Sequence, residues 1–393
     1  MSSSAIDHFN EGNRLADLGR QRDAVEQYRQ ALALERNYPS AWYNLGIAHD
    51  ELLEMHASEH AYRAALEIEP ELAEAHVNLA FCLLKQGRLA EAWPEYEWRY
   101  HPNHPPANSA RLPSLRKPRW TGQDISGRTL LLTPEQGLGD TIQFCRYAST
   151  LRAMGARTLI TARPELVDLL SGARAVDRVI ALGEPFAAND YDYWTLPLSL
   201  PGVLRTTLES IPAQIPYLNV DPQKGEAWSA RLSHLPARLR VGIAWSGSAR
   251  HPNDARRSIP AALFAEALDC PDATFVSLQV PSFENDLGVL RAHSDVFDAA
   301  SGLHDFSETA ALMQSLDLIV TADSSPAHLA GALGRPTWIL LPFNADWRWL
   351  LDRTDSPWYP TMRLFRQRST GDWAEVFQRI ARELASFQGP EIT

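Results

Sequence analysis

Cysteine is scarce in this chain: three residues in 393, Cys82, Cys145 and Cys270, with no CxxC pair. That number and scatter exclude a disulfide framework and a zinc ribbon, and a reducing cytoplasm is the expected compartment. No apolar run reaches the ~18 residues of a membrane helix. The start, Met1-Ser2-Ser3-Ser4-Ala5, lacks the basic region and apolar stretch of a secretory leader. Positive charge is also in deficit, 37 Lys and Arg against 48 Asp and Glu, a net −11. A nucleic-acid backbone is therefore not an expected partner. Neither a GxGxxG fingerprint nor a Walker loop occurs, so no dinucleotide cofactor is implied. What remains is an ordinary globular composition, 45% hydrophobic and 22% charged. At roughly 100–200 residues per domain the length suits two to four domains.

Charge changes character along the chain. Residues 1–100 hold 9 basic and 17 acidic side chains, whereas residues 101–127 hold 4 and 1. The acidic stretch repeats with a period of 34, the tetratricopeptide period. Asn10, Asn44 and Asn78 fall one period apart, as do Tyr28, Tyr62 and Tyr96, and the small residues Gly12, Gly46 and Ala80. Small residues admit close helix pairing and the large ones fill the space beside them. Gly19 and Gly87 mark the turns inside repeats one and three, with Leu53 at the equivalent place in repeat two. Three repeats are expected, at about 5–38, 39–72 and 73–106. The third loses its pattern after Tyr96, so it is expected to pack against later chain and not to leave its apolar face bare. The asparagine column has two readings. Evenly spaced amides could grip an extended acceptor peptide through its backbone, or asparagine could simply belong to the repeat pattern.

A connector follows at 107–127, within a stretch (101–127) holding five prolines. Beyond it strands and helices alternate, which predicts parallel sheets flanked by helices. One α/β half is expected over 128–222, with strands at Thr129–Thr133, Arg157–Thr161 and Arg178–Leu182 and a continuous helix from Thr141 to Met154. A second half is expected over 236–370, and an amphipathic helix closes the chain within 371–388. The fold class is thus an α-helical repeat array followed by two Rossmann-like α/β domains facing a cleft. Such folds bind ligands at the carboxyl ends of their strands.

Three loops there could carry chemistry. Gly137-Leu138-Gly139-Asp140 puts an acid at a helix start, and its glycines suit close backbone approach; Asp is equally a favoured cap. Asp323-Ser324-Ser325-Pro326-Ala327-His328 opens a second helix, where Ser324 or Ser325 could cap and Pro326 suits the first turn. A helix start with hydroxyls suits a phosphate, and a histidine one turn in is equally at home as a core residue. The segment 246–258 adds Arg250 and Arg257, whose guanidinium groups match phosphate oxygens or a solvated loop. Asp190-Tyr191-Asp192 imitates a DxD metal motif, but no further ligands accompany it, and no metal is expected.

The stretches Glu91–Arg99, Glu135–Phe144, Gly242–Gly247, Asp346–Trp349 and Ser356–Pro360, together with the repeats, resemble the bacterial tetratricopeptide-containing glycosyltransferases. The α/β part is similar to the ADP-heptose:lipopolysaccharide heptosyltransferases, glycosyltransferase family 9, of GT-B fold. The resemblance implies an inverting, metal-independent transfer from a nucleotide sugar, with no other cofactor. Asp140 matches the family's proposed base. Asp323, Ser324 and His328 match its diphosphate segment, where Ser325 replaces the usual glycine. The acceptor would be a protein or a glycan, and the repeats could hold it or a protein partner. Two alternatives stand beside this reading: a non-catalytic repeat adaptor with a degenerate transferase half, and a lipopolysaccharide-core enzyme whose repeats only assemble.

Overall fold

Six helices open the chain in the computed structural model, which describes residues 4–105, 111–236, 238–248, 253–267, 270–387 and 389. They are α1 (Ala5–Asp17), α2 (Gln21–Leu34), α3 (Pro39–Glu51), α4 (Met55–Ile68), α5 (Ala73–Lys85) and α6 (Leu89–Tyr96). Each odd helix pairs with the next, and each pair packs on its neighbour. The period-34 pattern explains the packing. A Cβ on Gly12 would lie 2.5 Å from the Tyr28 ring, and one on Gly46 would lie 2.5 Å from Tyr62. The glycines therefore let the tyrosines lie flat against the partner helix. Gly19 and Gly87 turn the chain at φ 73° and 76°. Leu53 takes the same left-handed turn at φ 58°, at a cost of roughly 1–2 kcal/mol that glycine would avoid.

These helices belong to a unit that also includes Pro201–Ser210 and Asp346–Asp352. The later segments answer the expectation that the third repeat needs a cover. Trp93 is buried; its indole N–H donates to the Thr206 carbonyl at 2.8 Å, and its ring meets Trp347 edge-on at 5.9 Å. A Cβ on Gly202 would come within 3.2 Å of the Trp93 side chain. After α6 a tight turn over Glu97–Tyr100 ends the array. There Arg99 is buried between the Tyr96 and Tyr100 rings, 4.1 Å from each, and donates to Glu97 at 2.8 Å.

The second unit comprises Ser114–Leu200, Ile211–Ala345 and Arg353–Thr393. Its first half runs β1 (Thr129–Leu132), α7 (Leu138–Phe144), α8 (Tyr147–Ala153), β2 (Arg157–Ala162), α9 (Pro164–Ser171), β3 (Arg178–Ala181) and β4 (Tyr193–Thr195), after which the single turn α10 (Leu200–Val203) begins the segment that belongs to the first unit. Then come α11 (Pro222–Leu232), β5 (Leu239–Ala244), α12 (Asp254–Arg257), α13 (Ala261–Ala267), β6 (Ala273–Ser277), α14 (Glu284–Arg291) and β7 (Val296–Asp298). The chain closes with α15 (Phe306–Gln314), β8 (Leu318–Ala322), α16 (Ser325–Ala332), β9 (Thr337–Leu341), β10 (Met362–Arg366) and α17 (Trp373–Ser386).

The strands form two wholly parallel sheets, ordered β3-β2-β1-β4 and β10-β9-β8-β5-β6-β7. In each, the chain first builds to one side and then crosses to the other. The switch points lie between β1 and β4 and between β5 and β8. Beneath the second sheet Val241, Ile243, Phe275 and Val320 meet Trp373, Val376, Phe377 and Ile380 of α17. Each such side chain contributes about 1.5–3 kcal/mol on burial.

The helix expected over 141–154 is broken at Cys145-Arg146. Ala148 and Ser149 bond to carbonyls three residues back, while the Arg146 guanidinium turns inward and takes the Gln143 carbonyl at 2.9 Å. That carbonyl would otherwise accept the amide of residue 147.

Trp93→Ala should cost about 3–5 kcal/mol and release the 201–210 segment. Trypsin cleavage after exposed Arg205 is the readout. An unchanged rate would show that other contacts hold the segment.

Candidate active site

The loop after β1 carries Asp140 in the first turn of α7. Its carboxylate accepts the Gly137 amide at 2.9 Å, which pins the side chain at the helix start and leaves it partly exposed. Glu135 in the same loop accepts the Leu198 amide at 3.1 Å and so ties this loop to the turn following β4. Asp140 thus serves as a local cap and also stands at the switch point of its sheet.

At the other switch point Asp323 and Ser324 lie between β8 and α16, both buried. Ser324 occupies the cap position, but its hydroxyl turns back toward the Ala322 carbonyl at 3.4 Å and makes no capping bond. Pro326 sits in the first turn, as expected. Ser325, the first residue of α16, is partly exposed. From the neighbouring strand β5 the chain runs to Ser246 and Gly247 and on to α12. Arg257 of α12 donates to the Asp323 carbonyl at 3.1 Å. A Cβ on Gly247 would lie 2.5 Å from the same guanidinium, so glycine there makes room for it. The buried Ser246 hydroxyl has no protein partner among the described residues, while the Ser246 amide donates to Gln279 at 3.1 Å. Arg257, Asp323 and Ser324 are therefore gathered at one helix start. Arg250 lies outside the described residues.

His328 joins the two halves of this unit. It sits one turn into α16, 7% exposed, with Nδ1 3.0 Å from the Tyr359 hydroxyl. Its other edge faces the Asp140 loop. A Cβ on Gly139 would lie 2.7 Å from His328 Cδ2 and 3.5 Å from Nε2. Gly139 is thus glycine because an imidazole covers it, and His328 stands next to the backbone of the residue before Asp140. Behind Tyr359 is Arg146, 2% exposed, with its guanidinium 4.5 Å from the Tyr359 ring. Arg146 donates to the Trp358 carbonyl at 2.6 Å and to the Tyr217 hydroxyl at 3.2 Å. Tyr217 in turn donates to the Ile142 carbonyl at 3.0 Å. Sequence reasoning gave Arg146 and Tyr359 no role. The available signal was the Trp358-Tyr359 pair in a proline-rich stretch with no strand or helix pattern.

The asparagine column lies in the repeat unit. Asn44 donates to Asn13 at 2.8 Å, the acceptor also used by the Tyr28 hydroxyl, and Asn78 donates to the Tyr43 hydroxyl at 3.0 Å. Both amides thus donate to the preceding repeat, while Asn10, at the start of the array, is exposed. The DxD imitation dissolves into backbone support: Asp190 accepts the Ala187 amide at 3.1 Å and Asp192 the Thr129 amide at 2.8 Å. No group of three metal-ligating side chains occurs among the described residues. Burial pushes the Cys145 thiol up to about 12 and Cys82 to about 11, so neither is a thiolate nucleophile at neutral pH. No helix among the described residues is long and apolar enough to cross a membrane.

Gly139→Ala gives a test in which the sign decides. Helix propensity alone favours Ala over Gly by about 1 kcal/mol; overpacking against His328 should cost about 1–3 kcal/mol. Gly288 in α14 has open space around its missing Cβ, so Gly288→Ala should stabilise the fold. Urea unfolding should move the two variants in opposite directions. Equal stabilisation would remove the His328 contact as the reason for Gly139.

Comparison with known proteins agrees with this geometry. Tetratricopeptide repeat families match residues 12–52, 39–72 and 61–93, and glycosyltransferase family 9 (heptosyltransferase) matches 295–340, the stretch from β7 through α16 to β9. Protein FlbA of Caulobacter vibrioides is 29% identical over 96% of this chain, which spans 66% of FlbA's length. Among solved structures, E. coli ADP-heptose lps heptosyltransferase II superposes with a TM-score of 0.50 at 17% identity, covering 66% of this chain and 98% of its own. A family 9 glycosyl transferase from Veillonella parvula superposes with a TM-score of 0.50 at 12% identity, covering 67% and 98%. The chain therefore joins an array of tetratricopeptide repeats to an α/β unit that has the fold of the solved heptosyltransferases and matches glycosyltransferase family 9 over residues 295–340.

Proposed function

We propose that this chain transfers a sugar from a nucleotide-sugar donor to an acceptor hydroxyl, with inversion and without a metal. The observation that carries the reading is the meeting of two strand-end loops: one presents a carboxylate, the other an uncapped helix start with Arg257 and His328 beside it. Asp140 takes the proton of the acceptor hydroxyl as its oxygen attacks the anomeric carbon. The bond from that carbon to the diphosphate oxygen breaks, and the electron pair leaves with the diphosphate. Attack opposite the leaving group in one displacement inverts the centre. The start of α16, Ser324, Arg257 and His328 supply hydrogen bonds and positive charge where negative charge develops. Asp323 acts through its backbone, which fixes Arg257. No metal is needed in this scheme, because the donors are already charged or oriented. Arg250 is assigned to the donor side because its guanidinium suits phosphate oxygens, and Ser325 because it opens α16. A cytoplasmic location fits a donor of this class.

A thermal-shift screen of nucleotide sugars identifies the donor: a ligand at 100 Kd should add about 2.7 kcal/mol. With that donor, Asp140→Asn should keep the Gly137 cap and the donor affinity but lose turnover by roughly 10²–10⁴-fold. Turnover near the parent's would return Asp140 to capping alone.

The repeats are proposed to take a protein, as acceptor or as partner. Because Asn44 and Asn78 already donate across repeat boundaries, their joint change to Ala should destabilise the array by about 0.5–1.5 kcal/mol per contact. Asn10→Ala should leave stability unchanged and raise the KM of a polypeptide acceptor if the column grips it. An unaltered KM with a destabilised double variant would assign the column to packing.

A further inference from the structure

We propose that Tyr359, backed by Arg146, holds His328 as a neutral imidazole with its proton on Nε2. His328 would then act as a hydrogen-bond donor to the departing diphosphate and not as an acid. Tyr359 and Arg146 are positioning residues on this view. The inference rests on the donor site proposed above and specifies how one of its groups works.

Against the pull of the Asp140 and Asp323 carboxylates on the adjoining loops, three features of the site disfavour a charged imidazole. His328 is buried, and burial penalises the cation. It lies one turn into α16, where the positive end of the helix opposes a second positive charge. The Arg146 guanidinium already stands 4.5 Å from the intervening Tyr359 ring, itself wholly buried. The hydroxyl 3.0 Å from Nδ1 can donate to it or accept from it, and the charge behind the phenol ring decides which. A guanidinium beside the ring favours the phenolate over the phenol and so makes the O–H a better donor. Tyr359 therefore donates to Nδ1, and the proton of His328 resides on Nε2. The Cδ2–Nε2 edge is the one turned toward Gly139, hence toward the loop of the proposed base. A neutral histidine at a helix start used as an electrophile is a recognised arrangement.

The two rings are also fixed along the chain. Arg146 holds the Trp358 carbonyl, so the residue before Tyr359 cannot drift. The Arg146 anchor comes from the α7–α8 break, next to the helix that carries Asp140. Base and leaving-group donor are thereby set by one buried guanidinium.

The experiment has two arms. In the first, the full-length chain labelled with ¹⁵N-histidine is examined by long-range ¹H–¹⁵N correlation, with His328 assigned through its ring-proton contact to Gly139. An unprotonated Nδ1 and a protonated Nε2 are expected at neutral pH; the opposite tautomer or an imidazolium overturns the proposal. This arm needs no variant and no turnover, so it stands even if no nucleotide sugar is a substrate, an outcome that would sink the transferase reading alone. In the second arm, Tyr359→Phe, which preserves ring volume, should lower kcat about tenfold and leave the acceptor KM unchanged. The same variant should convert the His328 signals to a mixture of tautomers. Arg146→Lys should give a smaller fall in kcat than Arg146→Met. A Tyr359→Phe variant with parental kcat and an unaltered tautomer overturns the positioning role.

Discussion

The α/β unit turns on the close approach of two helix starts, one from each sheet. At that point an imidazole lies where a Cβ of residue 139 would be. A side chain there would press on His328 and push α16 away from α7, separating the Asp140 loop from the Asp323–Ser324 loop. Parallel sheets bring their strand ends to one edge, but they do not by themselves make two edges meet. The Gly139–His328 contact does this, and Arg146 secures it from behind by bridging the α7–α8 break to the Trp358 carbonyl. The broken helix is therefore part of the site's construction. A continuous helix would carry the Gln143 carbonyl in its own ladder and deprive Arg146 of one of its anchors.

Much of this was legible in the residues, for physical reasons that differ between the two units. In the repeats the signal is steric and periodic: glycine faces tyrosine in the first two repeats, where the helix pairs are too close for a Cβ, and small Ala80 takes that place in the third. In the α/β unit the buried strands β1, β2, β5, β6, β8 and β9 stand out as apolar runs. Strands β4 and β7, and β10 with its arginines, do not. Tyr193–Thr195 and Val296–Asp298 are three residues each, and their pairing partners lie far away in sequence. The loop residues Asp140, Asp323 and Ser324 could be read because they follow obvious strands. Arg146 could not, since a basic residue in a helical pattern reads as a solvated face, and only the tertiary fold supplies the carbonyls and rings that accept it.

The site also shows why the overall charge says little about the ligand. The chain is acidic, −11 in total, with much of the excess in its first hundred residues. Charges screened over a Debye length of about 8 Å do not govern a site of buried side chains. What a diphosphate would meet is local: the start of α16, Arg257 on the Asp323 carbonyl, and, one ring further back, Arg146. The described hydrogen-bond partners of Arg146 are carbonyl oxygens and a hydroxyl, so its charge is solvated without being cancelled. A buried guanidinium left in that state is costly in an empty fold. On the proposed reading that cost has a use, because the field of the guanidinium would favour a multiply charged anion forming nearby.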